Sequence, residues 1–334
     1  MKIHYFSGEA WEEGYVKERL PNEEITFHNG PLSAFPELTD ANAEVLCTFI
    51  ESKIGEDEFK RFPALKLIAT RSTGFDHIDL IAAKARGIAV TNVPYYGENT
   101  VAEFTFALLL ALSRRVIDAD ERVRETGTFS HDNLRGFDLA GKTIGVVGCG
   151  HIGAHVIRIA NGFGMKVLGF DVNKNDELAE SLNFTYATLP ELFSASDIVT
   201  LHVPYNAHTH HLINRENINS FKKGSYLINT SRGAVVETQA LVEALKSGII
   251  AGAALDVLEE EGDMNDESVL LTAPHPNAEA IKVALENHYL IEHPRVIVTP
   301  HVAFNTTEAV ERILNTTTDN IKNFASGSPT NVVS

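Results

Sequence analysis

Three glycines, Gly148, Gly150 and Gly153, stand in the spacing G-x-G-x-x-G inside the stretch "GVVGCGHIGAHVIRIANGFGMKVLGFD", which runs from Gly145 to Asp171. Their surroundings constrain the fold more than any other feature of the chain. "KTIGVVG" is apolar and β-branched, the pattern of a strand buried on both faces. "HIGAHVIRIANGFG" then spaces Ile152, Val156, Ile159 and Ala160 on one helical face, and "MKVLGF" reads as a second buried strand closed by Asp171. A glycine triad alone is weak evidence, because glycine is common in turns. Strand, triad, helix, strand and terminal acid in succession are much stronger. Gly148 permits the tight turn, Gly150 lets backbone approach a pyrophosphate, and Gly153 lets helix and sheet pack closely. The helix start offers free N–H groups and partial positive charge to the phosphates. A carboxylate at Asp171 accepts bonds from ribose hydroxyls and repels a 2′-phosphate. No arginine follows it in "VNKND", where Lys174 offsets only part of that repulsion, so NAD is favoured over NADP.

The chain around this unit is long enough for two domains, at 334 residues, and 44% of it is hydrophobic, enough for sizeable cores. A net charge of −17 argues against nucleic acid or an anionic membrane as partner. Two cysteines, Cys47 and Cys149, are too few for a disulfide framework and fit a reducing, cytoplasmic setting. "MKIHYFSGEAW" has no secretory apolar core. The most apolar run, "VAEFTFALLLALS", is too short to span a bilayer and holds Glu103.

The first hundred residues alternate strand-like runs ("KIHYFS", "ITFH", "EVLCTFI", "LKLIATR", "IAVTNVP") with helical candidates such as "WEEGYVKERL" and "DLIAAKARG". This is a parallel-sheet pattern of the flavodoxin type. "NTVAEFTFALLLALSRR" reads as one long helix capped by Asn99 or Thr100, with Arg114 and Arg115 at its carboxyl end. It is apolar nearly all round, so a homodimer interface is expected on it. Six strands follow, in "TIGVVG", "KVLGF", "DIVTLHV", "SYLINTS", "AGAALDV" and "VIVTP", matching two mononucleotide-binding halves. The last helical stretch, "TEAVERILNTTTDNIKNFASG", has no strand of its own and is expected to return to the first domain. The fold class is therefore α/β with two doubly wound parallel-sheet domains. Residues 1–98 and 301–334 form a discontinuous flavodoxin-like substrate domain, and residues 99–300 form a Rossmann NAD-binding domain inserted in it.

In such sheets ligands bind outside the carboxyl ends of the strands. Those ends here are "NTSRGAVV", "ALDVLEEE" and "TPHVAFNT", which offer Arg232, Glu261 and His301. Hydride exchange between nicotinamide and a 2-oxo acid needs a cation for the carboxylate and carbonyl, which Arg supplies bidentately. It needs a proton donor working near neutral pH, which His supplies. It also needs a carboxylate to orient that His. Each residue alone has an ordinary reading: an ion-pair partner, a solvated acidic face, a turn residue. Together at three strand ends they carry more weight.

With these motifs the chain resembles the D-isomer-specific 2-hydroxyacid dehydrogenase family, most of all its D-lactate dehydrogenase branch, from about Ala64 to Asn323. The first sixty residues match in pattern only. The resemblance implies that Arg232 binds substrate, that Glu261 pairs with the catalytic histidine, and that His301 is that histidine. It implies that the backbone amides of "RSTGFDHID", around Thr73 and Gly74, hold the substrate carboxylate. Asp256 would face the nicotinamide carboxamide. Val101, Val203, Pro204, Thr209, Thr230 and Ser231 would line the cofactor, and His151 and Ile152 would sit over the pyrophosphate. NADH would dock in a crevice between domains whose closure excludes water. Tyr96 and Phe304 resemble the aromatics that close a small substrate pocket, which makes pyruvate the favoured acid. Hydroxypyruvate or glyoxylate reduction is the alternative, as is a non-enzymatic NAD-sensing protein like the corepressors built on this fold. Thr73 stands where related phosphite dehydrogenases carry lysine, which disfavours that reaction. The segment between Glu261 and His301 is long for the family and suggests a lid or interface feature.

Other constellations compete poorly. "HTHH" over residues 208–211 offers three imidazoles, with no Cys or spaced acid near it in sequence to complete a tetrahedral metal site, and reads as a loop. "GEAWEEG" and "EEEGDMNDE" lack calcium-loop spacing and read as solvated faces. Neither a nucleoside-triphosphate loop nor a G-x-S-x-G hydrolase turn is present.

Overall fold

The protein is described by a computed structural model that covers residues 1–6, 8–260 and 278–333. The chain divides into two compact units, Met1–Tyr96 with Asn305–Ser334, and Gly97–Phe304.

The first unit is built on a parallel sheet of five strands, β1 (Lys2–Phe6), β2 (Glu24–His28), β3 (Val45–Thr48), β4 (Leu67–Thr70) and β5 (Ala89–Thr91), in the order β2-β1-β3-β4-β5. All five runs identified in the sequence form strands. The 2-1-3-4-5 order is that of the flavodoxin type. β3 and β4 are buried along their whole length, as central strands covered on both faces must be. The helices are α1 (Glu12–Arg19), α2 (Glu56–Arg61) and α3 (Leu80–Ala85), the last capped by Asp79, whose carboxylate accepts the Ala82 N–H. The helix Thr307–Ala325 packs on β4 and α1. Its Leu314 and Ile321 join Ile3, Tyr5, Val16 and Leu67 in one core. Beyond it the chain runs back along β5, where Val332 pairs antiparallel with Thr91.

The second unit opens with α4 (Glu98–Arg114) and α5 (Val116–Thr126). A parallel sheet follows, with strands β6 (Thr143–Val147), β7 (Lys166–Phe170), β8 (Thr185–Tyr186), β9 (Ile198–Leu201), β10 (Ser225–Asn229), β11 (Ile250–Leu255) and β12 (Val296–Val298). Its order is β12-β11-β10-β9-β6-β7-β8, the dinucleotide-binding order with one strand added at the far edge. Six of these seven described strands stand out in the sequence as apolar runs. β8 has two residues, too few for any periodicity to show. Helices α6 (His151–Gly162), α7 (Asp176–Ser181), α8 (Leu189–Ala195) and α9 (Thr238–Ser247) interleave with the strands. The direction of winding reverses between β6 and β9, which places the switch point beside the glycine turn.

One expectation needs correction. Neither Asn99 nor Thr100 caps α4. Gly97 is its N-cap, Thr100 is buried within the first turns, and the Asn99 side chain instead donates to Glu103 Oε1 at 3.2 Å. The helix ends at Arg114 because Arg115 takes a left-handed conformation, φ 51°, and its guanidinium closes on Asp118 at 3.0 Å. The apolar faces of α4 pack within the unit, against α5, α6, β10, β11 and β12. The large apolar side chains left open lie further on, at Val116, Ile117, Val123 and Phe129. As for the long segment before His301, residues 261–277 lie outside the described residues. The described remainder, the helix Ala278–Glu292, packs on α9 and β12 as a layer of the sheet. No described helix is long and apolar enough to cross a membrane.

Candidate active site

The glycine turn leaves β6 and enters α6. Gly148 has φ +94°, a conformation closed to most L-residues, and a Cβ there would stand 2.5 Å from the His202 carbonyl oxygen of the neighbouring β9 exit. A Cβ on Gly153 would meet the Gly148 carbonyl oxygen at 2.0 Å, so the first turn of α6 lies directly against the loop. At Gly150, the N-cap, a Cβ would meet nothing within 4 Å. Two glycines are thus demanded by packing, and the third leaves open space at a helix N-terminus, the shape a pyrophosphate requires. Ile152 is half-buried behind this surface, while His151 is exposed with Nδ1 3.2 Å from Glu98 Oε1. Asp171 Oδ2 accepts the Cys149 N–H at 2.8 Å and Oδ1 accepts the Asn173 N–H at 2.8 Å, so the acid at the end of β7 also fixes the turn. Burial pushes the Cys149 thiol up to about 12, which keeps it unreactive within the loop.

Val203 and Pro204 follow β9. Thr209 closes their loop, donating to the Pro204 carbonyl at 2.6 Å and accepting the Asn206 N–H at 2.8 Å. Thr230, after β10, stands 3.1 Å from the Thr105 hydroxyl of α4, one helical turn beyond Val101, and Ser231 is held by Asn229 Oδ1. These residues border the carboxyl ends of β6, β9 and β10.

Arg232, Asp256 and His301 leave three adjacent strands, β10, β11 and β12. Arg232 is fixed from its backbone, where Asn229 Nδ2 donates to its carbonyl at 2.8 Å. Gly233 follows it, and a Cβ there would lie 2.0 Å from the Leu258 carbonyl carbon and oxygen, so the exits of β10 and β11 touch backbone to backbone. Asp256 is 1% exposed. Its Oδ1 accepts the Thr299 hydroxyl at 2.6 Å and the Val302 N–H at 3.0 Å, and its Oδ2 accepts the Ala303 N–H at 2.8 Å. Its carbonyl also accepts the His301 N–H at 2.8 Å. Desolvation raises the Asp256 carboxyl above its usual range, partly offset by these bonds. One buried acid therefore ties down the whole loop that carries His301, a use beyond the nicotinamide contact that the resemblance implies. His301 itself has φ 52°. Such strain in a non-glycine residue persists only where neighbours over-determine the backbone.

Glu261 lies outside the described residues. Glu259, two positions earlier, is no solvated residue of an acidic face. Its Oε1 is 2.6 Å from His211 Nε2, and its Oε2 accepts the Thr238 hydroxyl at 2.7 Å. The fold thus brings an acid to the "HTHH" loop that none of its sequence neighbours provides. His202 is the competing imidazole at the switch point. Its Nε2 meets Thr200 Oγ1 at 2.9 Å, its Nδ1 is sealed from solvent, and desolvation pushes its pKa down to about 3. It stays neutral through the physiological range and is no proton donor there.

Thr73, Gly74 and Tyr96 belong to the first unit. Thr73 is exposed and Gly74 half-buried in the loop after β4, and the Tyr96 carbonyl accepts Arg312 Nε at 2.7 Å. Phe304, half-buried, is the last residue of the second unit.

A doubly wound sheet with a glycine turn at its switch point, and Arg, Asp and His at three neighbouring strand ends, defines a dinucleotide-dependent oxidoreductase. The chain belongs to the D-isomer specific 2-hydroxyacid dehydrogenase family, whose NAD binding domain model matches residues 106–303. It is 38% identical to a 2-hydroxyacid dehydrogenase homolog of Schizosaccharomyces pombe, over 98% of this chain and 97% of that one. It is 41% identical to a glyoxylate reductase of Thermofilum pendens, over 81% and 75% of the two chains. Its structure is similar to that of the D-lactate dehydrogenase of Aquifex aeolicus, determined with NAD and lactic acid, at a TM-score of 0.86 and 36% identity, over 98% and 96% of the chains. NAD is the cofactor of this oxidoreductase.

Proposed function

We propose that the protein reduces small 2-oxo acids to D-2-hydroxy acids, with pyruvate the preferred substrate. The observation that carries this reading is the placement of Arg232, Asp256 and His301 at the carboxyl ends of the adjacent strands β10, β11 and β12. Bound NAD supplies the hydride in its reduced form. Gly148, Gly150 and Gly153 cradle its pyrophosphate and Asp171 its adenosine ribose. Arg232 engages the substrate carboxylate and polarises the carbonyl. The amides of Thr73 and Gly74 are carboxylate donors. His301 Nε2 or Nδ1 delivers the proton to the nascent hydroxyl, with Glu261 as its orienting acid. Asp256 keeps His301 in place through the loop backbone.

Tyr96 limits substrate size in this reading, so a methyl is accepted beyond the carbonyl and a large group is not. In an apolar pocket each methylene is worth only about 1–3 kcal/mol of discrimination. The expected order of kcat/KM with NADH is pyruvate, then 2-oxobutyrate, then phenylpyruvate. Tyr96→Ala should raise phenylpyruvate relative to pyruvate. Truncation that harms every acid alike would make Tyr96 a packing residue. A wild type faster with glyoxylate or hydroxypyruvate would move the assignment toward the glyoxylate reductases, and absence of turnover with every acid would overturn the enzymatic reading.

We also propose a homodimer, formed through α5 and the turn after it rather than through α4. Four large apolar side chains are open there, and Phe129 is 89% exposed. Light scattering at micromolar concentration should give twice the 36.6 kDa chain mass, and Ile117→Asp with Phe129→Asp should halve it. A wild-type particle of single-chain mass removes this proposal.

A further inference from the structure

The loop after β4 offers two backbone amides, and the first unit holds both of them from behind. A trans peptide is planar, so fixing a carbonyl fixes the N–H on the opposite edge of the same plane. The Ser72 carbonyl accepts the Val93 N–H at 2.9 Å, which sets the plane that carries the Thr73 N–H. The Thr73 carbonyl accepts Asn92 Nδ2 at 2.8 Å, which sets the plane that carries the Gly74 N–H. The Thr73 hydroxyl donates to the Val93 carbonyl at 2.8 Å, and Ser72 Oγ donates to the Gly74 carbonyl at 2.6 Å. Among the described residues neither amide N–H of Thr73 or Gly74 donates to a protein acceptor.

Asn92 is clamped in turn. It is 7% exposed. Its N–H donates to the Asn331 carbonyl at 3.1 Å, and its carbonyl accepts Asn320 Nδ2 at 2.8 Å. Asn320, on the helix Thr307–Ala325 and 1% exposed, receives Asn331 Nδ2 at 2.8 Å and the Thr330 hydroxyl at 3.1 Å on its own oxygen. Asn331 has φ 53°, a conformation that asparagine tolerates better than most residues. The side-chain amide nitrogen, main-chain N–H and carbonyl of Asn92 and both ends of the Asn320 amide are all bonded, and a buried network so connected rigidifies its surroundings.

We propose that Asn92, held by Asn320 and Asn331, is a positioning residue that presents the Thr73 and Gly74 amides as a rigid two-donor cradle for the carboxylate of the substrate. This rests on the 2-oxo acid reading above and adds a role for residues that touch neither substrate nor cofactor. An aspartate at 92 has the shape of asparagine but no N–H to give the Thr73 carbonyl, and two oxygens then face each other. Asn92→Asp should raise the KM for pyruvate about tenfold or more, the scale of a weakened hydrogen bond to a charged group, while KM for NADH stays within about twofold. Asn331→Gly, which suits the same backbone conformation but lacks the bridge to Asn320, should move KM for pyruvate in the same direction by less. Hydrogen exchange supplies a readout independent of turnover: the Val93 amide, which donates to the Ser72 carbonyl, should exchange faster in Asn92→Asp while β1 and β3 stay protected. Unchanged pyruvate KM in both variants of an active enzyme overturns the relay, and so does a parallel rise in KM for NADH. If the wild type reduces no 2-oxo acid, the functional reading fails by itself, and unaltered exchange at Val93 then overturns the relay separately.

Discussion

Replacing His301 by asparagine should lower turnover by about 10²–10⁴-fold, the range for loss of a general acid–base group. The choice of asparagine follows from the backbone. His301 sits at φ 52°, where asparagine is accommodated and alanine is strained. The bonds that hold the loop run from the backbone N–H groups of His301, Val302 and Ala303 to Asp256, and they survive the exchange. The variant therefore removes the imidazole and leaves its platform intact. Fluorescence titration should show NADH affinity within about threefold of wild type, well under one tenfold step in binding energy. Near-wild-type turnover would take His301 out of the chemistry.

The second large effect is expected where there is no side chain. Gly233→Ala would place a Cβ 2.0 Å from the Leu258 carbonyl and 2.3 Å from the Glu259 nitrogen. These are backbone atoms, with no rotamer to yield, so the exits of β10 and β11 must separate. We expect a loss of about 3 kcal/mol or more in urea unfolding, at the upper end for single substitutions. Activity should fall with it, because Arg232 and Glu259 stand on the two sides of the contact. A variant with the wild-type urea midpoint would show that the loops adapt without cost.

The nucleotide-binding unit was legible because its determinants are local. The glycine spacing, the β-branched runs and Asp171 lie within thirty residues, and each reports its own backbone geometry. The parallel order of both sheets followed from alternating runs alone. What escaped depends on groups that meet only in three dimensions. His211 and Glu259 are far apart in sequence and 2.6 Å apart in the fold. "EEE" looks like a solvated run because nothing near it in sequence tells that Glu259 turns inward to Thr238. The resemblance ties Asp256 to the cofactor, yet its bonds to Thr299, Val302 and Ala303 arise from β11 and β12 lying side by side. Gly233 had a visible signal, a glycine directly after a strand-end arginine, but the Leu258 carbonyl that demands it was not. The break at Arg115 carried no signal in apolar pattern, since Val116 and Ile117 continue the hydrophobic run beyond it.

The interleaving of the two units bears on the order in which the molecule can be completed during synthesis. The sheet of the first unit leaves the ribosome well before the helix Thr307–Ala325 that covers β4 and the residues that run along β5. Until then α1 alone covers that face of the sheet and the β5 edge is unpaired, an invitation to wrong pairing. The entropic cost of closing so long a connection falls if the intervening chain is already compact. The second unit provides this, because α4 at its beginning packs on β12 near its end. Released chains truncated before residue 307 should thus hold a folded second unit beside an unfinished first one, and chaperone dependence should be greater in them than in the whole chain.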